Sequence, residues 1–298
     1  MNEEENLSEN ENYYTGTNEI TFTLKVIRFY FKHLGSLFPR FSVYLFTKLF
    51  STLKKRKIKE KHTNFLNTAQ KKKLLINEHE LQFYFWGNSD KKILIVHGWE
   101  GMSADFSEMV TSLVKAGFSI VSFDLPAHGN SSGKLTHLPM VISLLKKIIP
   151  EQGPFYAVVG HSLGAAASAF SMAELNGSVT LSKLVLMGLH PVPFEFFKQF
   201  QHVLGINDKL FAKCVKYVEE KLGRKVQGMS VYKVNSSISA DKVLLIHDAK
   251  DQVANLKIIK QLNSEWKNSE LFFGEHGGHY KHYKHPEVVE KVIEFMKD

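Results

Sequence analysis

The feature that most constrains the fold is a series of short, uninterrupted apolar runs separated by helical patterns. An alternating segment, "LQFYFWG" (81–87), opens the series. Then come "ILIVH" (93–97), "SIVSFD" (119–124), "FYAVVG" (155–160), "KLVLMG" (183–188), "KVLLIH" (242–247) and "ELFFG" (270–274). Most of these runs are continuous and β-branched, as strands covered on both faces must be. Helical periodicity fills the gaps over 105–116, 138–149, 164–175 and 286–297. Alternation of this kind predicts an α/β fold with a mostly parallel, doubly wound sheet. A chain of 298 residues has room for one large core and an appendage.

Outside this rhythm the chain divides further. Residues 1–18 are polar and acidic and read as a mobile tail. Residues 19–75 read as an N-terminal helical extension. Within it, Val26, Phe29 and Tyr30, and then Val43, Phe46, Leu49, Phe50 and Leu53, recur at helical spacing, with breaks near Gly35 and Pro39. Packing on the main domain is the expected use of these helices. The other use is an interfacial anchor, since basic residues adjoin the aromatic face. The remaining domain spans 76–298. The connection over 190–241 is too long for a plain crossover and predicts a short helical cap at the carboxyl ends of the strands, where ligands bind in α/β folds.

The formal charge of +8 is concentrated in "KKRKIKEKH" (54–62) and "KKK" (71–73). Such runs are ordinarily solvated helix faces, although they also attract anionic lipid. Neither zinc-finger spacing nor an RNA-binding aromatic signature accompanies them, so no nucleic-acid partner is expected. No run of about 18 uncharged apolar residues predicts a spanning helix, and the acidic N-terminus does not read as a secretory signal. The single cysteine, Cys214, reads as a buried small apolar residue and fits a reducing, cytoplasmic setting.

Function is carried by "FYAVVGHSLGAAASAF" (155–170), where a strand gives way to an alanine-rich helix across Gly160, His161, Ser162, Leu163 and Gly164. A helix start offers unpaired N–H groups and a partial positive charge. A nucleophile on a tight turn at that point projects outward with its developing negative charge beside those groups, and the sharp turn requires small neighbours. G-x-S-x-G in this setting is the nucleophile elbow of α/β hydrolases. A serine needs a base, and the base needs an orienting acid. In this fold the acid follows a later strand and the histidine follows the last one. "DAKDQVA" offers Asp248 and Asp251, and "EHGGHYKHYKHPEVV" offers His276, His279, His282 and His285. Asp248 sits where it can cap the turn, while Asp251 lies deeper in its loop. His279 follows two glycines that let its loop fold tightly. The i, i+3 histidine spacing also suits a metal, but Gly277 and Gly278 oppose a helix and the sequence shows no carboxylate cluster to complete a site. No metal or cofactor is expected.

Over residues 80–298 the sequence resembles the α/β-hydrolase superfamily. Within it, "HGWEG", "DLPAHGNSSG", "GHSLGA", "LLIHDAKDQVA" and "GGHYKHYKHPEVV" are similar to a bacterial serine-hydrolase, esterase-like group. That resemblance implies Ser162 as nucleophile, His279 as base and Asp251 as acid. It implies an oxyanion hole from the backbone N–H groups of Leu163 and Trp99; the Trp99 indole is expected either to wall the substrate's acyl group or simply to pack. His97, His161, Asp124 and His128 are expected to shape the surroundings, and Glu100 to face solvent or pair with a base. Phe194 and Phe197, in the cap, are candidate substrate-binding residues for an apolar acyl or alkyl group. The expected activity is hydrolysis of a small carboxylic ester, thioester or lipid ester through an acyl-enzyme. The competing expectation is a non-catalytic or membrane-peripheral binding protein that keeps the fold and meets anionic membrane through its N-terminal helices.

Overall fold

A computed structural model of the chain describes residues 22–298. The expected tail, 1–18, lies outside the described residues. The chain forms two compact units. One contains the helices of 22–52 together with 192–230, and the other contains 53–191 together with 231–298.

The larger unit is built on eight strands: β1 (Gln70–Ile76), β2 (His79–Trp86), β3 (Lys92–Val96), β4 (Ser119–Phe123), β5 (Ala157–His161), β6 (Leu181–Met187), β7 (Ala240–Asp248) and β8 (Ser269–Gly274). Their order across the sheet is β1-β2-β4-β3-β5-β6-β7-β8. β1 and β2 pair antiparallel, as do β2 and β4, and every pairing from β4 to β8 is parallel. From β3 the chain moves one way to β4 and then returns to the other side for β5. The order therefore reverses at β3 and β5, and the loops after these strands flank the crevice that α/β sheets use for ligands.

The helices complete both units. In chain order they are α1 (Phe22–Phe29, continued by a π-helical turn to Leu34), α2 (Pro39–Ser51), α3 (Glu60–Leu66), α4 (Ser107–Lys115), α5 (Leu138–Gln152) and α6 (Leu163–Leu175). They continue with α7 (Phe194–Leu204), α8 (Asp208–Leu222), α9 (Val231–Val234), α10 (Leu256–Glu265) and α11 (Pro286–Lys297). α6 is apolar all round, and Gly164 to Met172 are all buried. A helix of that pattern belongs inside, and its run of alanines lets it lie close to the sheet. α4 and α11 each turn one stripe inward: Met109, Val110 and Leu113 from α4, and Val288, Val292, Phe295 and Met296 from α11. These join Ile93, Ile95, Val159 and Ile246 in one apolar cluster.

Two basic runs differ from the expected helix faces. Lys71, Lys72 and Lys73 belong to β1, an edge strand in which only Ile76 is buried, so the lysines protect an open sheet edge. Residues 52–59 are non-helical, and Arg56 reaches the carboxylate of Asp105.

In the smaller unit, α1 and α2 pack with α7 and α8 through aromatic side chains. Phe46 lies 5.5 to 6.0 Å, centroid to centroid, from Phe197, Phe200 and Phe211, and Phe50 lies 4.2 Å from Phe197. The hairpin between α1 and α2 is locked by Ser42, whose hydroxyl donates to the Gly35 carbonyl over 2.9 Å and meets the Tyr30 hydroxyl at 2.8 Å. Cys214 is buried on α8, and burial pushes its thiol up to about 12, so it packs rather than reacts.

Candidate active site

β5 ends at His161 and α6 begins at Leu163, so Ser162 alone makes the turn between them. Its φ of 51° and ψ of −115° are strained for a residue with a side chain, a cost of about 1–3 kcal/mol that the surroundings must hold. The flanking glycines permit it. A Cβ at Gly160 would sit 2.7 Å from Cα of Ala165, and one at Gly164 would press into the carbonyls of Val96 and His97. The turn is pinned to β6 by the Ser162 N–H, which donates to the Met187 carbonyl over 2.9 Å.

The loop after β7 presents Asp251. Its Oδ1 accepts from the N–H groups of Val253 (2.7 Å) and Ala254 (3.1 Å), which leaves Oδ2 to meet Nδ1 of His279 at 2.7 Å. Burial opposes ionisation of this carboxyl. The hydrogen bond and charge of His279 and the backbone donor at Ala254 outweigh it and hold the pKa below its ordinary 3.8. His247 braces the same loop, its Nε2–H donating to the Ala254 carbonyl over 2.7 Å.

The loop after β8 turns through Gly277 and Gly278, at φ of 100° and 72°, into His279. Nε2 of His279 lies 2.9 Å from Oγ of Ser162. Ser162, His279 and Asp251 therefore form one continuous hydrogen-bonded chain drawn from three loops. An ionised carboxylate only accepts, so Nδ1 of His279 carries the proton and Nε2 turns its lone pair to the hydroxyl.

The other residues singled out in the sequence lie around this chain. Asp248 spans two loops: Oδ1 accepts from the Lys250 N–H at 2.8 Å, and Oδ2 accepts from the His276 N–H. Nε2 of His276 meets the Glu287 carboxylate at 3.1 Å. The sequence pattern did not reveal that α11 brings this acid to the histidine series. Among the described residues, His276, His285 and Glu287 come nearest to a metal-ligand set, with one donor atom each inside 4.8 Å. His285 occupies the N-cap position of α11 without a side-chain capping bond, however, and the positive end of a helix disfavours a cation. The buried His282 donates from Nδ1 to the Gly278 carbonyl at 3.1 Å, and burial lowers its pKa to about 4. Phe194 and Phe197 belong to the smaller unit, where their rings stack 5.8 Å apart.

The "HGWEG" loop after β3 runs against the serine: a Cβ on Gly98 would lie 2.9 Å from Cβ of Ser162. Three side chains fix its path. His97 donates from Nδ1 to the Gly98 carbonyl (2.8 Å) and accepts the Leu125 N–H at Nε2 (2.9 Å). His128 accepts the N–H of Glu100 at Nε2 (3.0 Å), holding that residue at φ 54°. Arg56 donates to the Glu100 carbonyl (3.1 Å) and, through both Nη atoms, to Asp105 (2.7 and 3.2 Å). Asp105 also accepts the Met102 N–H at 3.0 Å. The Glu100 side chain is exposed. Among the described residues, no acceptor is paired with the N–H of Trp99 or of Leu163. Asp124 is buried as a loop organiser, accepting from the backbone of Ser103 (2.9 Å) and Asn130 (2.8 Å).

Sequence reasoning did not find Arg56 or Asp105. They are 49 residues apart, and a cation inside a basic run carries no local sign of its partner. His161, expected to shape the site and fill hydrogen bonds around it, donates from Nε2–H to the His279 carbonyl over 2.9 Å.

This arrangement of a strained serine, a histidine and a carboxylate at the strand ends of a mostly parallel sheet has a counterpart in sequence. The sequence model described as "Alpha/beta hydrolase family" matches residues 93–292. The chain belongs to that family. A segment of 93 residues is 32% identical to a probable serine hydrolase of Drosophila melanogaster, covering 28% of this chain and 27% of that protein. The match thus spans only about a quarter of the relative's length. Among solved structures, the esterase Pf2001 of Pyrococcus furiosus superposes with a TM-score of 0.59 at 19% identity, over 83% of this chain and 96% of that one. Est1E of Butyrivibrio proteoclasticus, solved with ferulic acid bound, gives 0.60 at 17% identity, over 74% and 96%. At these identities the family's fold is what is shared.

Proposed function

We propose that this protein is a serine hydrolase that cleaves small carboxylic esters through an acyl-enzyme. The observation that carries the reading is the hydrogen-bonded chain from Oγ of Ser162 through His279 to Oδ2 of Asp251, with the serine held on a strained elbow. The esterase structures and the probable serine hydrolase among the similar proteins support the same chemistry. The fold alone would also accommodate other acyl transfers.

In this reading Oγ of Ser162 attacks the ester carbonyl carbon as Nε2 of His279 takes the hydroxyl proton. Asp251 holds the resulting imidazolium in place and stabilises its charge. The oxyanion of the tetrahedral intermediate accepts from the N–H groups of Leu163 and Trp99, which are fixed before substrate arrives and need no reorganisation. The Trp99 indole stands beside the substrate's acyl group. The alkoxide leaves with the proton from Nε2, and the serine remains acylated. Water then gives a proton to Nε2 as it attacks the acyl carbonyl; the intermediate collapses, the bond to Oγ breaks, and Nε2 returns the proton to Oγ, releasing the acid and restoring Ser162.

The test is labelling by a fluorophosphonate probe together with hydrolysis of p-nitrophenyl esters of graded acyl length. Wild-type protein should label and turn over, and Ser162→Ala should do neither. Labelling that persists in Ser162→Ala would remove the serine from the role. Turnover of thioesters in preference to oxygen esters would redirect the substrate assignment and leave the nucleophile unchanged.

A further inference from the structure

The helices of the smaller unit have two apolar faces, and only one is covered by other described residues. Phe31, Val43 and Phe46 point inward and are buried. On α1 the opposite face carries Phe22, Val26 and Phe29, spaced i, i+4 and i+7, and the start of α2 adds Leu37, Phe38, Phe41 and Tyr44. These seven side chains are 51–81% exposed. Of the thirteen large apolar residues exposed among the described residues, eight fall between Phe22 and Tyr44. A soluble surface rarely leaves so much apolar area together without a use for it.

The side-chain charge on α1 and α2 themselves is of one sign. Residues 22–51 contain Lys25, Arg28, Lys32, Arg40 and Lys48 and no acidic residue. Beside Phe29 opens a cleft of about 570 Å³ lined by Arg28, Phe29, Lys32, Lys198, Gln201 and His202. Lys198 also pairs with Glu195 at 3.0 Å, and Lys32 adds a second amine to the cleft.

We propose that this face docks the protein on an anionic phospholipid bilayer. Phe22, Phe29, Leu37, Phe38 and Phe41 enter the headgroup–acyl boundary, and the cleft between α1 and α7 takes a lipid phosphate. The pairing of aromatic and cationic groups on one helix face is what interfacial binding requires. It also separates this occupant from a second copy of the chain. Two such faces would bury apolar surface only by bringing five cations against five, whereas an anionic bilayer supplies apolar depth and opposite charge together. No helix among the described residues is long and apolar enough to cross a membrane, so the contact is peripheral. Docking of this kind does not depend on the chemistry at Ser162.

The experiment is co-sedimentation of the full chain with phosphatidylcholine vesicles, with and without about 30% phosphatidylglycerol. Binding should be at least about tenfold stronger to the anionic vesicles and should weaken as salt rises. The doubly substituted Leu37→Ser, Phe41→Ser and Lys25→Glu, Lys32→Glu proteins should each lose most of it. All four positions are exposed, so circular dichroism and the melting transition should stay as in wild type. No binding to anionic vesicles by a folded wild-type chain would overturn the proposal. So would binding that both double variants retain. Vesicle-independent self-association abolished by Leu37→Ser, Phe41→Ser would reassign the face to contact between copies.

Discussion

The Nε2–H of His161 donates to the backbone carbonyl of His279 across 2.9 Å, so the residue before the candidate nucleophile holds the loop that carries the candidate base. His161 is buried, and burial first, then the neighbouring His279 and His282, push its pKa well below 6.5. It stays neutral, with its proton on Nε2, where the carbonyl requires it. Replacing His161 with Phe would keep a ring but strand the carbonyl, at a cost of about 1–3 kcal/mol. A shift of His279 by about 1 Å should lower kcat by roughly 100-fold with KM little changed. His161→Gln places an amide N–H near the lost one and should recover most of the rate. Equal loss in both variants would mean that the ring, not its hydrogen bond, matters.

Asp251→Asn should be more damaging than its small change in shape suggests. The N–H groups of Val253 and Ala254 both donate to Oδ1, so they would claim the only oxygen of an asparagine amide. The NH₂ must then face His279, force Nδ1 to accept, and move the proton to Nε2, opposite Ser162. A base in the wrong tautomer cannot take the hydroxyl proton. Ester turnover should fall on the order of 10³–10⁴-fold while the protein stays folded. Steady-state kinetics beside a thermal melt separates these two effects.

Arg56→Met tests the anchor of the "HGWEG" loop. Asp105 is buried, and burial alone would raise its pKa. The hydrogen-bonded Arg56 and the more distant Lys284 reverse that and hold it below 3.8. Without Arg56, the carboxylate keeps the Met102 N–H at 3.0 Å and, as its remaining ion pair among the described residues, Lys284 at 3.5 Å. Because the arginine side chain is 40% exposed, the loss should be about 1–3 kcal/mol, short of what a fully buried pair would cost. Arg56 also donates to the Glu100 carbonyl, so kcat should fall as well through the neighbouring Trp99 N–H. Arg56→Lys should restore stability only in part, since a lysine cannot span both carboxylate oxygens and the Glu100 carbonyl. Denaturant midpoints and kcat for the two variants decide the matter.

The contrast between Arg56 and Ser162 shows what a sequence can reveal. The parallel strands were legible because burial on both faces leaves continuous apolar runs. The elbow was legible because its glycines, its serine and the strand–helix change all fall within ten residues. Chain order pointed to the loops after β7 and β8, and the family resemblance singled out Asp251 and His279 within them. β1 was not legible: an edge strand with one buried residue, Ile76, and three successive lysines has no apolar face to display. The Arg56–Asp105 pair and the His276–Glu287 contact depend on how distant loops meet, and nothing in the spacing of either residue announces its partner. The hydrogen bond from His161 was hidden for a different reason. The direction of a ring N–H is set only when two loops close on each other.

Acid should weaken the fold well above the range in which its carboxylates titrate. Burial lowers the pKa of His97 to about 4 and of His128 to about 3, the latter with help from His97, and His282 also falls to about 4. An unfolded histidine protonates near 6.5. Below that pH the unfolded chain binds protons that the folded chain refuses, so stability falls as pH falls. The contribution is fully present above about pH 6.5 and is lost progressively down to the folded values, about 4 for His97 and His282 and about 3 for His128. Asp105 and Asp251, both depressed in the fold, add loss in the same direction at the lower end of that window. Urea midpoints should therefore decline steadily from pH 7 to pH 4, with no matching decline between pH 7 and pH 8. His128→Gln keeps an acceptor for the Glu100 N–H and removes one titrating group, so its decline should be shallower. An unchanged slope in that variant would show that His128 is solvated in the folded protein and does not contribute to its acid sensitivity.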